Sequence, residues 1–201
     1  MIVASFIVFE GGDGSGKSTQ SRALWRRLRR RSYPVLLTRE PGGTPTGESI
    51  RRWLKTHANL NPISELSLFV AARAQLVDDV IRPALGRGAT VICDRYTAST
   101  VAYQGYGRQM DLELIGRLNR AATAGLSPVL TVLLDLPVRA ALARKERQDA
   151  IESAPMEFHE RVREGYLTQA AADPGGWLVL DGSRPSRELS RDIWAKVQPL
   201  L

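Results

Sequence analysis

The chain has 201 residues, of which 43% are hydrophobic and 24% are charged. These are ordinary values for a globular protein, and they exclude a disordered or fibrous chain. Because the length is near the usual size of one domain, we expect a single domain over residues 1–201. No segment approaches the ~20 apolar residues of a membrane-spanning helix, and the apolar N-terminus lacks the basic residues of a signal peptide. We therefore expect a cytoplasmic protein without a membrane partner.

The charge balance is basic, with 28 Lys and Arg against 21 Asp and Glu and a formal net charge of +7. All of the basic residues except Lys17, Lys55, Lys145 and Lys196 are arginines. Such a balance favours an anionic partner, either a nucleic acid or a phosphorylated small molecule. The single cysteine, Cys93, lies in the apolar run TVIC, so we expect it to be buried in the core.

Five short apolar segments rich in β-branched residues alternate with longer segments of helical periodicity. Strands that are apolar throughout are typical of a parallel sheet covered on both faces, so the pattern predicts an α/β fold with three layers. The predicted strands are 5–10, 34–39, 89–95, 128–136 and 176–181. The predicted helices are 17–31, 47–56, 64–85, 111–124, 137–146, 156–172 and 186–198.

A glycine-rich loop follows the first predicted strand. Residues 11–18 read GGDGSGKS, which matches the phosphate-binding pattern G-x-x-x-x-G-K-[ST]. Between a strand and a helix, backbone N–H groups and the helix N-terminus can surround a polyphosphate. Lys17 would contact the β- and γ-phosphates, and the Ser18 hydroxyl would bind Mg²⁺. The residues assigned to the triphosphate are Gly11, Gly12, Asp13, Gly14, Ser15, Gly16, Lys17, Ser18, Thr19 and Arg184, which follows the fifth predicted strand.

A P-loop occurs in switches, motors and kinases, and two of these classes lose support from the sequence. A GTP-binding switch should carry a guanine-reading N-K-x-D sequence, but none of Asn59, Asn61 and Asn119 is followed by lysine. A nucleic-acid ATPase usually needs a longer chain. The P-loop therefore favours a kinase that uses ATP.

Arginines and an aspartate follow the second and third predicted strands. Arg39 lies in a loop rich in proline and glycine, where a guanidinium can bind a phosphate through two hydrogen bonds. Asp94 and Arg95 end the third strand, where Asp94 could hold an Mg²⁺-bound water and Arg95 could bind a second phosphate. In the helix between these strands, Phe69 and Arg73 stand four residues apart on one face, so both can point into one cleft.

Three further segments surround these residues: TREPGGTPTGESIR (38–51), LFVAARAQLV (68–77) and DRYTASTVAYQGYGR (94–108). With the P-loop, LLDLP (133–137) and EFHERVREGY (157–166), they make the chain resemble the thymidylate kinase family over most of its length. The resemblance implies a P-loop kinase fold with a five-stranded parallel sheet. It also implies a homodimer that transfers the γ-phosphoryl of ATP to dTMP with Mg²⁺ as cofactor and without a nucleic-acid partner.

The resemblance assigns a role to each acceptor-site residue. Phe69 would stack on thymine and Arg73 would donate to a base carbonyl. Tyr103 would crowd the sugar C2′ and favour deoxyribose, while Asp13 would turn toward the 3′-hydroxyl. The remaining acceptor-site residues are Arg39 and Arg95 at the phosphate, Ser99 beside them, and Thr100 and Gln104 at the base edge.

Catalytic charge is expected from a lid at about 142–152. Some members of the family carry an arginine at the position of Gly14, whereas members with a small residue there use basic groups of the lid. Arg144, Lys145 and Arg147 are therefore assigned to catalysis together with Lys17, Arg39, Asp94 and Arg95. The lid departs from the family pattern D-R-[FI]-E because residues 149–152 read DAIE, so the roles of its individual bases stay open.

Two alternatives remain open at this stage. A deoxynucleoside kinase or another nucleotide kinase of the same fold would need a carboxylate base for a hydroxyl acceptor, and Glu40 could serve. An ATP-dependent nucleic-acid-binding protein could use the arginine-rich segment 26–31, and its DNA binding would then depend steeply on salt.

Overall fold

The computed structural model describes residues 4–57, 60–144 and 154–201. Five parallel strands form one sheet in the order β2-β3-β1-β4-β5. The strands are β1 (Phe6–Glu10), β2 (Val35–Arg39), β3 (Thr90–Asp94), β4 (Leu130–Asp135) and β5 (Trp177–Asp181). Each strand lies inside one of the five segments predicted from apolar runs, so the predicted strands are confirmed.

Helices connect the strands and cover the sheet. They are α1 (Lys17–Arg30), α2 (Pro45–Thr56), α3 (Pro62–Leu76), α4 (Arg82–Gly86), α5 (Thr97–Thr100), α6 (Leu112–Thr123), α7 (Val138–Ala143), α8 (Met156–Ala172) and α9 (Ser186–Val197). Among these helices, none is long and apolar enough to cross a membrane.

The side chains of β1 alternate between two helical layers, as the pleat of a strand requires. Ile7 and Phe9 pack with α1 and α9 on one face of the sheet. Phe6 and Val8 pack with α3 on the other face, where Cys93 is also fully buried. The three-layer α/β/α fold and the buried cysteine are therefore confirmed.

The helix predicted over 64–85 is interrupted. The α-helical hydrogen bonds of α3 end at Leu76, a wider π-helical turn covers Val77–Ile81, and α4 follows. Pro83 lies in the first turn of α4, and its nitrogen cannot donate to a carbonyl one turn earlier. Because Pro83 removes one hydrogen bond of a regular α-helix, the wider turn occurs directly before it.

A second π-helical segment, Val101–Gly107, continues α5 and packs tightly against α8. A Cβ atom on Gly165 of α8 would lie 2.7 Å from Cγ of Tyr106, and one on Gly107 would lie 2.6 Å from the ring of Phe158. Small residues therefore set the distance between α8 and this segment, which carries the side chains of Tyr103 and Gln104.

The parallel register aligns the carboxyl ends of the three strands at the centre and one side of the sheet. Asp94 of β3 pairs with Phe9 of β1 and with Arg39 of β2. Ligands of open α/β sheets bind at this edge. The register therefore brings the ends of β1, β2 and β3, and the loops that follow them, to one place.

We predict opposite effects for two glycine-to-alanine changes in helices. Gly165→Ala should destabilise the protein by about 1–3 kcal/mol, because the new methyl group overpacks the contact with Tyr106. Gly116→Ala in α6 meets only the end of the Arg120 side chain, at 3.4 Å, and should stabilise by up to about 1 kcal/mol through helix propensity. Urea unfolding of both variants measures these effects, and stabilisation by Gly165→Ala would contradict the close packing of α8.

Candidate active site

A cleft of about 530 Å³ opens at the carboxyl edge of the sheet. Its walls come from the P-loop, from the loops after β2 and β3, and from α2, α3 and the segment that continues α5. The lining residues that were assigned from the sequence are Asp13, Gly14, Gly16, Lys17, Ser18, Thr19, Arg39, Phe69, Arg73, Asp94, Arg95, Ser99, Thr100, Tyr103, Gln104 and Arg144. The structure thus brings most of the assigned residues together in one cavity.

The P-loop joins β1 directly to the first turn of α1. Gly14 has a φ of 79°, and a Cβ atom there would collide with the carbonyl oxygen of Ala141 in α7. A side chain at position 14 is therefore excluded by both backbone conformation and space. Gly11, Gly12 and Ser15 complete the loop and are not among the residues that line the cleft.

Lys17 is buried at the start of α1, and its ammonium group donates to the carbonyl oxygen of Gly12 at 2.8 Å. Burial, and next the charge of Arg95, lower the pKa of Lys17 to about 8, although Asp13 and Asp94 act in the opposite direction. A bound polyphosphate would add negative charge and stabilise the protonated form.

Ser18 and Asp94 face each other across the cleft floor, and the Ser18 hydroxyl donates a hydrogen bond to the Asp94 carboxylate. Hydroxyl and carboxylate oxygens suit Mg²⁺, which usually takes few protein ligands and completes its shell with water and substrate phosphates. The described residues contain no cluster of three His, Cys, Asp or Glu side chains that could hold a metal ion. The oxygen donors therefore fit Mg²⁺ bound together with a nucleotide.

Arg95 lies between the P-loop and the opposite wall. Its guanidinium donates to Asp13 at 2.7 Å, to the Tyr103 hydroxyl at 3.0 Å, to Ser99 at 3.1 Å and to the Tyr166 hydroxyl at 2.9 Å. The backbone of Arg95 has a φ of 74°, an unfavourable conformation for an arginine. These four partners hold the side chain in one position at the centre of the cleft.

Glu10 is a buried residue at this centre that was not assigned from the sequence. Its carboxylate accepts hydrogen bonds from the N–H groups of Tyr96 and Ser99, from the Ser99 hydroxyl and from Tyr166. Burial raises the pKa of Glu10, although the charge of Arg95 acts against this effect. The one signal in the sequence is a carboxylate that ends an otherwise apolar strand, FIVFE.

The wall opposite the P-loop carries Phe69 and Arg73 of α3. Arg73 is almost fully buried and donates to Glu40 at 2.8 Å, to Asn119 at 2.6 Å and to the carbonyl oxygen of Tyr96 at 3.1 Å. Nη2 of Arg73 also lies 2.6 Å from the Glu40 carboxylate. Because a guanidinium has five N–H groups, these contacts fix its plane and leave one N–H of Nη1 for a ligand. Thr100 and Gln104 line the same wall.

Further charged groups line the rim of the cleft. Arg39 is half exposed and paired with Glu48 at 3.0 Å. Arg51, which was not assigned from the sequence, also lines the cleft, and burial, followed by the nearby charge of Arg39, lowers its pKa. Arg144 reaches the cleft from the end of α7 and donates to the carbonyl oxygen of Gly182 at 3.2 Å. Several cations thus surround the space that an anion would occupy.

The sequence model of the thymidylate kinase family matches residues 9–193. The chain belongs to the thymidylate kinase family. Two relatives named thymidylate kinase support this membership over nearly the whole chain. The protein of Dehalococcoides mccartyi is 50% identical over 200 residues, covering 98% of this chain and 97% of its own. The protein of Deinococcus radiodurans is 48% identical over 196 residues, covering 96% and 95%.

A solved structure also resembles this member of the thymidylate kinase family. The crystal structure of thymidylate kinase from Ehrlichia chaffeensis matches with a TM-score of 0.83 and 36% sequence identity, covering 98% of this chain and 99% of that chain. This similarity confirms the P-loop kinase fold that the sequence predicted.

Arg184, Lys145 and Arg147 were assigned from the sequence but fall outside the cleft or outside the described residues. Arg184 points along α9 and forms ion pairs with Glu188 and Asp192, and it is not among the lining residues. Lys145 and Arg147, with the rest of the lid from residue 145 to 152, lie outside the described residues. Their contacts with ATP or the transferred group stay predictions.

The raised pKa of Glu40 makes the stability of the protein depend on pH. Glu40 lies beside Arg73, and burial raises its pKa from 4.5 to about 7, while Arg73 acts against this rise. Between these pH values the folded protein holds a proton that the unfolded chain has released. The resulting stabilisation is complete below pH 4.5 and is lost as the pH rises through about 7.

We therefore predict that the stability difference between the unsubstituted protein and Glu40→Gln depends on pH. The free energy of unfolding of the unsubstituted protein, relative to the variant, should fall by up to about 3 kcal/mol between pH 5 and pH 8. Urea unfolding across this range measures it, with the exposed Glu113→Gln as a charge-matched control. A difference that is constant with pH would contradict a raised pKa for Glu40.

Proposed function

We propose that this protein transfers the γ-phosphoryl group of ATP to dTMP and releases dTDP and ADP. The observation that carries the proposal is the position of Arg95, which bonds Asp13 of the P-loop and Tyr103 of the opposite wall. A donor nucleotide on the P-loop and an acceptor on the opposite wall would meet at this guanidinium. In this proposal residues 1–201 form one kinase domain that acts in the cytoplasm.

The donor site in this proposal is the P-loop. Backbone N–H groups of residues 12–18 and the positive N-terminal end of α1 would surround the ATP phosphates. Lys17 would bind the β- and γ-phosphates, and Ser18 and Asp94 would hold Mg²⁺ directly or through water. When bound, Mg²⁺ would neutralise part of the charge on the transferring group.

The acceptor site in this proposal is the opposite wall. Phe69 offers a ring for stacking on thymine, while Arg73 and Gln104 offer hydrogen-bonding groups to its edge. The Asp13 carboxylate and the Tyr103 hydroxyl hold each other at 2.7 Å, at the position where the deoxyribose would lie. Arg95, with Arg39 and Arg51 at the rim, would bind the acceptor phosphate.

The chemistry needs positioning and charge more than acid–base groups. A phosphate monoester has a second pKa near ~6, so the attacking oxygen of dTMP is already an anion at neutral pH. The barrier comes from repulsion between two anions and from the entropy of aligning them. The fixed cations Lys17 and Arg95, with Arg144 from the start of the lid, lie where they could reduce that repulsion.

A coupled assay of ADP release with ATP and a panel of acceptors tests this function. We expect turnover with dTMP to exceed turnover with UMP, CMP, AMP, GMP and thymidine. Thymidine tests the deoxynucleoside kinase alternative, in which Glu40 would act as a base. ATP consumption stimulated by DNA and not by dTMP would instead support the nucleic-acid-binding alternative and overturn the proposal.

We predict that Arg95→Ala lowers turnover with dTMP by at least ~100-fold, the usual range for a group that stabilises charge in the transition state. Arg95→Lys should retain an intermediate rate, because it keeps the charge and loses the forked geometry. Arg187→Ala removes an exposed arginine on α9 and serves as the control. Near-normal turnover in Arg95→Ala, with the melting temperature measured beside it, would remove Arg95 from the mechanism.

We further propose a homodimer formed through α2, α3 and α6. Helix α3 packs against both α2 and α6, and Trp53, Ile63 and Leu112 expose between 41% and 47% of their surface on these helices. We expect light scattering to give twice the chain mass. The double variant Ile63→Glu with Leu112→Glu should give the mass of one chain, while Val179→Glu, an equally exposed apolar site on β5, should not. A single-chain mass for the unsubstituted protein would contradict the dimer.

A further inference from the structure

Glu65 forms a buried polar cluster with Gln104 and Arg108, behind the wall of the cleft that lies opposite the P-loop. It lies in the first turn of α3 and exposes only 4% of its surface. The Arg108 guanidinium donates to its carboxylate at 3.0 Å and 3.3 Å, and the Gln104 side chain donates to it at 2.9 Å. The ion pair with Arg108 balances the charge of this carboxylate, so Glu65 can remain an acceptor inside the protein.

The chemistry of a carboxylate decides how the Gln104 amide is turned. An amide offers an NH₂ group at one end and a carbonyl oxygen at the other, whereas a carboxylate can only accept hydrogen bonds. Nε2 of Gln104 therefore faces Glu65, and Oε1 faces away from it. Among the described residues, Oε1 of Gln104 has no hydrogen-bond partner, and the side chain, although 98% buried, lines the cleft.

The backbone that carries Gln104 is also fixed. Its carbonyl oxygen accepts a hydrogen bond from the N–H of Met110 at 3.1 Å. The neighbouring Gly105 packs against Leu112 of α6, and Gly107 packs against Phe158 of α8, each without space for a Cβ atom. This segment therefore cannot shift easily. Since Glu65 binds the NH₂ end of the Gln104 side chain, a ligand in the cleft meets the carbonyl end.

We infer that Glu65 is a positioning residue that makes the cleft select for pyrimidine rings with an N–H group at ring position 3. This inference rests on the proposed function. Thymine and uracil carry an N3–H donor next to a 4-carbonyl acceptor, which matches Oε1 of Gln104 and the remaining N–H of Arg73 on the same wall. Cytosine presents a lone pair at N3 and an amino group at position 4. Its lone pair would face the Gln104 carbonyl oxygen, and both acceptors would stay unpaired in a buried site.

The variant Glu65→Gln tests this role, because an amide at position 65 can donate as well as accept and so permits the reversed orientation of Gln104. The ratio of kcat/KM for dTMP over dCMP should fall by roughly tenfold or more, as expected for one buried hydrogen bond. The ratio for dTMP over dUMP should not change, since both acceptors carry the same N3–H. Where dCMP turnover is too slow to measure, its inhibition constant against dTMP replaces kcat/KM.

Leu66→Val is the matched control. Leu66 follows Glu65 in α3 and is fully buried, so its replacement weakens core packing but leaves the polar cluster of Glu65, Gln104 and Arg108 unchanged. It should leave both ratios unchanged. If Glu65→Gln fails to fold because Arg108 loses its partner, Glu65→Gln with Arg108→Met removes the ion pair as a whole and should give the same fall.

An equal loss of kcat/KM for all three acceptors in the Glu65 variants would assign Glu65 a merely structural role and overturn the inference. Such a result would leave the proposed function intact, provided that the unsubstituted protein prefers dTMP. An unsubstituted protein that does not phosphorylate dTMP would overturn the proposed function and this inference together.

Discussion

The buried carboxylate of Glu10 connects the end of β1 to the loop after β3 and to α8. It accepts four hydrogen bonds from Tyr96, Ser99 and Tyr166, and the same Ser99 and Tyr166 hydroxyl groups accept from Arg95. Arg95 also donates directly to the Asp13 carboxylate at 2.7 Å. Glu10 thus fixes the Ser99 and Tyr166 hydroxyl groups, and these two groups together with Asp13 hold the central cation of the cleft in place.

The same cleft shows how an anion-binding site is prepared before its ligands arrive. Burial, and next the charge of Arg95, lower the pKa of Lys17 to about 8. The usual value is 10.5, so protonating Lys17 in the folded protein costs about 3 kcal/mol more than protonating a lysine in water. Phosphate groups bound beside Lys17 would offset that energy. Because the cations are held by protein contacts, little reorganisation would be needed when the phosphates bind, which is the condition for strong electrostatic stabilisation.

The wall opposite the P-loop is ordered in the same way, by polar side chains whose hydrogen bonds on the side away from the cleft are satisfied. Arg73 is held by Glu40 and Asn119, and Gln104 is held by Glu65. Each side chain keeps free hydrogen-bonding capacity for the cleft. Preorganised donors and acceptors of this kind discriminate between ligands strongly, since a mismatched ligand leaves buried polar groups unpaired.

Local sequence patterns were sufficient to predict the five strands, the three layers and the phosphate loop, because apolar runs and glycines at fixed offsets from Lys17 encode local structure. The resemblance to the thymidylate kinase family then supplied the acceptor-site residues, most of which the fold brings into one cleft. The buried environments of Glu10, Glu40 and Glu65, and the limit that Ala141 places on Gly14, follow only from the packing of distant parts of the chain. A carboxylate or a glycine carries no local pattern that separates a buried position from an exposed one. Its environment is created by residues far away in the chain, which become neighbours only when helices pack onto the sheet.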